Sequence, residues 1–204
     1  MRYLFTVVAL TLASFVSFPA QSLREAAKKL GGAADNTFNA EFQQRSRDEL
    51  VSASDMIVRA RISGIRTLLI EDDALVATEY DFIPLQMIRQ ENAQRSAARP
   101  GAMPPLTVRR IGGRMTEGPY RYSTINHDFP ESEALKIDDE AILFLQFDPA
   151  TGAYAFTDGP FGVFRVANDK VLPLTRLVAK LRDDQPVETK EFIADLQRRA
   201  SKVR

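Results

Sequence analysis

Two runs in which apolar and polar residues alternate constrain this chain more than any other feature. In "DMIVRARISGI" (residues 55–65), Met56, Val58, Ala60 and Ile62 share one face, and Arg59, Arg61 and Ser63 share the other. In "VATEYDFIPLQMI" (76–88), Val76, Thr78, Tyr80 and Phe82 fall on one side, with Glu79 and Asp81 opposite. A period of two is the signature of a strand with one buried face. The polar stretch "EDDA" at 71–74 separates the runs and supplies a turn. Residues 55–70 and 75–90 are therefore expected to pair as an antiparallel hairpin. Arg59 and Arg61 are expected on the same outer face as Glu79 and Asp81, where opposite charges favour that register.

Further strand signals follow. "LTVRRI" (106–111) reads as a strand ended by Gly112-Gly113, and "PYRYSTI" as a short edge strand. "AILFLQF" (141–147) is apolar on both faces, as a central strand would be. Residues 149–152 turn the chain. "AYAFT" and "GVFRVA" are short strands divided by "DGPFG", and "NDK" turns into "VLPL". Between the hairpin and residue 106, "QENAQRSAARPGAMPP" (90–105) carries three prolines and few large apolar side chains, and is expected to be a long exposed loop. Two helices flank the strands. Ser46 and Glu49 form a capping-box pattern in "SRDELVSAS", and Phe192, Ile193 and Leu196 make an apolar stripe within 187–202. Many short strands between turn signals, flanked by helices, give a mainly β fold: a small closed or nearly closed β-barrel with a short N-terminal helix and a C-terminal helix.

The N-terminus has a different character. Arg2 precedes an apolar run from Tyr3 to Phe18, and Ala20-Gln21-Ser22 places small residues where a signal peptidase reads. This is the grammar of a secretory signal peptide, expected to be removed at or near residue 22. A spanning helix needs about 20 apolar residues, and this run ends at Pro19. Export to the periplasm or medium follows, with no membrane anchor after cleavage. Residues 23–45, broken by Gly31-Gly32, read as a mobile N-terminal segment. Residues 46–204 read as a single β-barrel domain carrying the C-terminal helix.

The composition excludes several functions. The chain has 27 basic and 27 acidic side chains, and loss of Arg2 leaves one acid in excess. Such a surface has no global field to draw nucleic acid or an anionic membrane. There is no cysteine, so thiol nucleophiles, cysteine metal sites and disulfides are all ruled out.

The order of "ELVSASDMIVRARI", "TEYDFIPLQMI", "LTVRRIGG", "DDEAILFLQF" and "GPFGVFRV" resembles a group of uncharacterised exported bacterial β-barrel proteins. Their pattern is an alternating strand after Ala-Ser-Asp, a Tyr-x-Phe strand, a Gly-Gly strand end, a Phe-Leu central strand and a Gly-x-Phe hairpin. More distantly, the chain is similar to the netrin-like OB-fold of the tissue inhibitors of metalloproteinases. The resemblance covers about residues 49–172 and implies an OB-like barrel. Those inhibitors chelate zinc through an N-terminal cysteine and are cross-linked by disulfides. A chain without cysteine can use neither device. The loop at 90–105 is also long where the bacterial group has a short Lys-Gly turn. The resemblance implies no catalytic residue.

Chemistry-bearing residues are sparse. The one histidine, His127, has Asp128, Ser123 and Thr124 as sequence neighbours, but neighbours on a strand do not face each other and make no triad. It reads as a solvated loop histidine, and no metal or cofactor site is expected. The acidic runs 71–73, 138–140 and 183–184 lack the alternating ligands and bend glycine of a calcium loop, and read as turn and cap carboxylates. Nothing selects a pair of carboxylates for glycoside hydrolysis.

Gly112-Gly113 could belong to a phosphate loop only if a helix followed. "RMTEGPYRYST" follows instead, so the glycines read as a strand terminator. One functional feature remains. Arg109, Arg110, Arg114 and Arg121 interleave with Tyr120 and Tyr122 in a short span, as basic and aromatic residues do on OB-folds that hold sugars or nucleotides. The alternative is that the arginines pair with nearby acids and the tyrosines pack. The favoured expectation is an exported, non-enzymatic binding module whose partner is a protein or an anionic polymer. The second is an exported hydrolase with acidic catalytic residues, which a deep pocket with two convergent carboxylates would favour.

Overall fold

The fold is that of a computed structural model, which describes residues 22–38, 42, 45–91, 104–127, 129, 134–174 and 185–203. The apolar run at the N-terminus, most of the loop at 90–105, and Asp183-Asp184 lie outside the described residues. Among the described residues, no helix is long and apolar enough to cross a membrane.

The two alternating runs form strands β2 (Met56–Ile70) and β3 (Leu75–Gln90), and they pair antiparallel along their whole length as expected. The turn between them is made by Glu71, Asp72 and Asp73, all at positive φ, a conformation that short acidic side chains tolerate better than most. The register is interrupted three times, between Ile57 and Val58, Arg59 and Ala60, and Ile62 and Gly64. Bulges bend a strand and increase its twist, which lets strands of 15 and 16 residues curl rather than run flat.

The third shift also changes the expected charge pairing. Asp81 now faces Gly64, and Glu79 faces Arg66. Arg66 therefore bonds Glu79 and Asp81, at 2.8 Å and 2.5 Å. Arg59 and Arg61 point outward as expected, but both reach Glu140 on β7 (Glu140–Asp148), each at 2.7 Å.

The remaining strands are β4 (Leu106–Ile111), β5 (Gly113–Glu117), β6 (Tyr120–Asn126), β8 (Ala153–Phe156), β9 (Val163–Ala167), β10 (Lys170–Pro173) and β11 (Val187–Glu188). One more strand, β1 (Ala33–Phe38), precedes them in the chain. In the larger sheet, β2 pairs with β3, β3 with β4, β4 with β8, β8 with β7, and β7 with β2. These five strands thus close into a ring of pairings. All are antiparallel except β4 with β8. Strands β9, β10 and β11 continue from β7.

Side chains from every strand of the ring meet in one cluster that includes Val58, Ile62, Tyr80, Phe82, Val108, Leu143 and Phe156. Alternate residues of β7, Ile142 and Phe144, point away from it into a second cluster. There they meet Leu50 and Val51 of α2 (Arg47–Ala53) and Phe192, Ile193 and Leu196 of α3 (Thr189–Ala200). That is why "AILFLQF" is apolar on both faces. The capping box of α2 is formed as expected, with Ser46 and Glu49 each bonding the other's backbone.

The N-terminal region packs on the rest of the fold. Residues 23–30 form helix α1, closed by Gly31 in the left-handed region. Leu23, Ala27 and Ala34 are buried against Val76 and Tyr122. Ser22, at the expected cleavage boundary, accepts a hydrogen bond from the Glu25 amide and caps this helix. β1 then pairs parallel to β6. Consequently β6 is not an edge strand: it is the centre of a separate three-stranded sheet in the order β1-β6-β5.

Candidate functional site

The glycine pair is a corner between the two sheets. Gly112 and Gly113 have φ of +112° and +146°, and they carry the chain from β4 in the larger sheet into β5 in the smaller one. Hydrogen bonds fix the corner. The Gly112 amide donates to the Val76 carbonyl at 2.8 Å, and the Thr78 hydroxyl donates to the Gly112 carbonyl at 2.6 Å. The Val76 amide in turn donates to the Thr124 hydroxyl at 2.7 Å. A β-hairpin follows, not a helix, so these glycines have no helix N-terminus to offer a phosphate.

The six residues expected to form one patch are distributed over four environments. Arg109 lies on the outer side of β4, where its guanidinium bonds Glu79 at 2.8 Å. Glu79 is itself buried and also holds Arg66. Arg110, one residue on, faces inward and is 9% exposed. Tyr122 is 1% exposed and packs beneath the small sheet, where burial pushes its phenol above the usual range. Tyr120 is half-buried beside it. Arg114 and Arg121 remain exposed.

Register brings those last two together. Arg114 on β5 is opposite Ser123 on β6, which is opposite Asp35 on β1. In the next row of the same face, Thr116 is opposite Arg121, which is opposite Ala33. Side chains in neighbouring rows on one face lie within reach of the same ligand. They line an open cleft of about 430 Å³ whose polar contributors are Asp35, Arg114, Thr116, Arg121 and Ser123. The Ser123 hydroxyl bonds the Asp35 carboxylate. The cleft thus offers two guanidinium groups, two hydroxyls and one carboxylate, a set that binds by hydrogen bonds and charge.

Sequence reading missed Asp35, Thr116 and Ser123. The signal for Thr116 and Ser123 was present: both lie at even spacing from an arginine on their own strand. Asp35 had no such signal, because "AADNTF" carries little hydrophobic alternation and becomes a strand only by pairing with β6.

A second concavity lies at the end of β4. It has a volume of about 190 Å³ and is walled by Phe38, Phe42, Ile111, Phe129, Phe156 and the backbone at Gly159, with Arg109, Arg110 and Asn126 as its polar neighbours. The two concavities share no lining residue. Neither gathers two carboxylates. His127 is exposed in the turn after β6. Among the described residues, no group of three or more His, Asp or Glu side chains is arranged to hold a metal ion. No known protein family matches the chain, and no curated protein matches it.

Proposed function

We propose that this chain is an exported, non-enzymatic binding module built on a small OB-like β-barrel. Its ligand is an anionic polymer, held across the outer face of the β1-β6-β5 sheet. The observation that carries the reading is the cross-strand register that aligns Arg114 and Arg121 on one solvent face with Asp35 and Ser123 between and beside them. Arginine presents a planar fork of donors suited to carboxylate or sulfate, and the hydroxyls can bond sugar oxygens. An open face suits a long chain better than a small molecule.

The barrel reading is supported by the ring order β2-β3-β4-β8-β7, with its single parallel pair. That order fits a five-stranded Greek-key ring of the OB type. Export is supported by the charged, apolar and small-residue sequence of the first 22 residues. With whole-chain charge balanced, attraction would be short-range and would fade as salt rises.

The test compares the wild type with Arg114→Glu/Arg121→Glu on an array of uronate-containing and sulfated glycans. Salt-sensitive retention by the wild type and its loss in the double variant support the reading. Equal retention of both would remove this face as the site. An acidic protein surface is the remaining form of the same chemistry, and capture from envelope extract by the wild type but not the variant would identify it.

A further inference from the structure

Arg110 sits where a cation is hard to explain by folding alone. Alternation on β4 buries Leu106, Val108 and Arg110 together. Its guanidinium lies over the Phe129 ring, 4.6 Å from the centroid, and 6.0 Å from that of Tyr80. Nε donates to the Tyr80 hydroxyl at 3.0 Å, and one terminal nitrogen donates to the Phe129 carbonyl at 3.3 Å. Both acceptors are neutral. Among the described residues, no carboxylate pairs with it. A guanidinium has five N–H donors and cannot shed its proton in a protein. A buried charge without a counter-ion is strongly unfavourable, so its presence calls for an anion.

The concavity beside Arg110 has room for one. At about 190 Å³, it exceeds an apolar cavity of about 150 Å³ that accepts benzene. Its lining is largely apolar and holds four aromatic rings, Phe38, Phe42, Phe129 and Phe156, with Arg109 and Asn126 as further polar neighbours of Arg110. Phe129 and Phe156 stack with centroids 5.8 Å apart. Phe42 lies against Gly159, where even a Cβ would come within 2.5 Å of its ring. The walls therefore favour a flat apolar body, and the guanidinium favours a planar anionic head.

We propose that this concavity is a binding site for a small aryl carboxylate, its ring between the phenylalanines and its carboxylate on Arg110. The site is independent of the outer-face cleft. A fully hydrated anion such as inorganic phosphate is disfavoured there, because the aromatic walls cannot replace its water.

The experiment titrates the full-length protein with benzoate and phenylacetate, and with their uncharged amides, by NMR. The Arg110 Nε–Hε resonance is followed, together with the aromatic signals of Phe129 and Phe156. Expected is a saturable shift of all three with the carboxylates, and affinity for the amides lower by about tenfold or more, the loss that removal of a charge-assisted pair produces. Arg110→Gln, if it folds, should bind acid and amide alike. Absence of a shift at Arg110, equal affinity of acid and amide, or equal binding of inorganic phosphate would each overturn the proposal. The wild-type titration decides the matter even if Arg110→Gln does not fold.

Discussion

Gly113 and Thr78 meet where a side chain has no room. A Cβ on Gly113 would lie 2.5 Å from the Thr78 hydroxyl oxygen, with Thr67 and Val76 methyl carbons at 3.4 Å and 3.6 Å behind it. The same hydroxyl donates to the Gly112 carbonyl. The glycine pair therefore serves the passage of the chain from one sheet to the other. Gly113→Ala should destabilise the protein by about 1–3 kcal/mol, because it combines a φ of +146° with this clash. Chemical denaturation measures it. Thr78→Ala in the same chain should recover part of the loss, since the two sites are in contact. Additive losses would show that backbone conformation alone is responsible.

Glu140 joins β7 to β2 by accepting from both Arg59 and Arg61. The Arg61 hydrogen bond, with that of Arg59, holds its carboxyl below the usual glutamate range despite partial burial. A depressed folded-state pKa contributes stability that is present above the unfolded value, near 4.3, and is lost as pH falls through the lower folded one. Glu140→Gln should therefore lower stability at neutral pH by about 1 kcal/mol, the upper end for pairs open to solvent. Wild type and variant should converge in acid. A gap that persists at low pH would mean that the amide damages packing instead.

Phe144 is fully buried on the outer side of β7, with its ring centroid 5.7 Å from that of Phe164 and with α2 and α3 beyond. Phe144→Ala should cost about 3–5 kcal/mol, a large share of a domain's stability. An unchanged melting temperature would refute the two-sided burial of this strand.

Why some of this was legible and some was not comes down to range. Alternation at 56–62 and 76–82 is a local consequence of one buried face, so the hairpin could be read directly. The double-sided apolar run at 141–147 and the Ser46/Glu49 cap are local in the same way. The bulge between Ile62 and Gly64 has no local signature, and it set Arg66 rather than Arg61 opposite Glu79; Arg59 and Arg61 reach Glu140 because β2 also pairs with β7. Residues 33–38 form a strand only because β6, far along the chain, accepts them. That distant pairing turned an expected edge strand into a central one and added Asp35 to the cleft. The inward direction of Arg110 was available from its parity with Leu106 and Val108. Grouping arginines by nearness in sequence hid it, since adjacent residues on a strand face opposite ways.

Asp158 gives the most direct test of burial against charge. It occupies the left-handed region with φ +53°, and its side chain is 11% exposed. Arg45 Nε approaches Oδ2 to 3.0 Å, but that oxygen receives no aligned hydrogen bond. Burial is the largest influence and pushes the carboxyl above the usual aspartate range; Arg45 opposes this, and Glu49 adds to it. A raised carboxyl pKa means that the folded state binds the proton more tightly than the unfolded chain does. Stability then falls as pH rises from near 3.9, the unfolded value, through the higher folded one, and stays lower above it. Asp158→Asn removes the ionisation and tolerates the left-handed backbone. It should raise the melting temperature at neutral pH and leave it unchanged well below pH 3.9. Asp158→Ala removes the same charge but is strained at this φ, so it should be less stable than Asp158→Asn at every pH. If the asparagine variant is the less stable protein at neutral pH, the Arg45 attraction outweighs desolvation and the sign argued here is reversed.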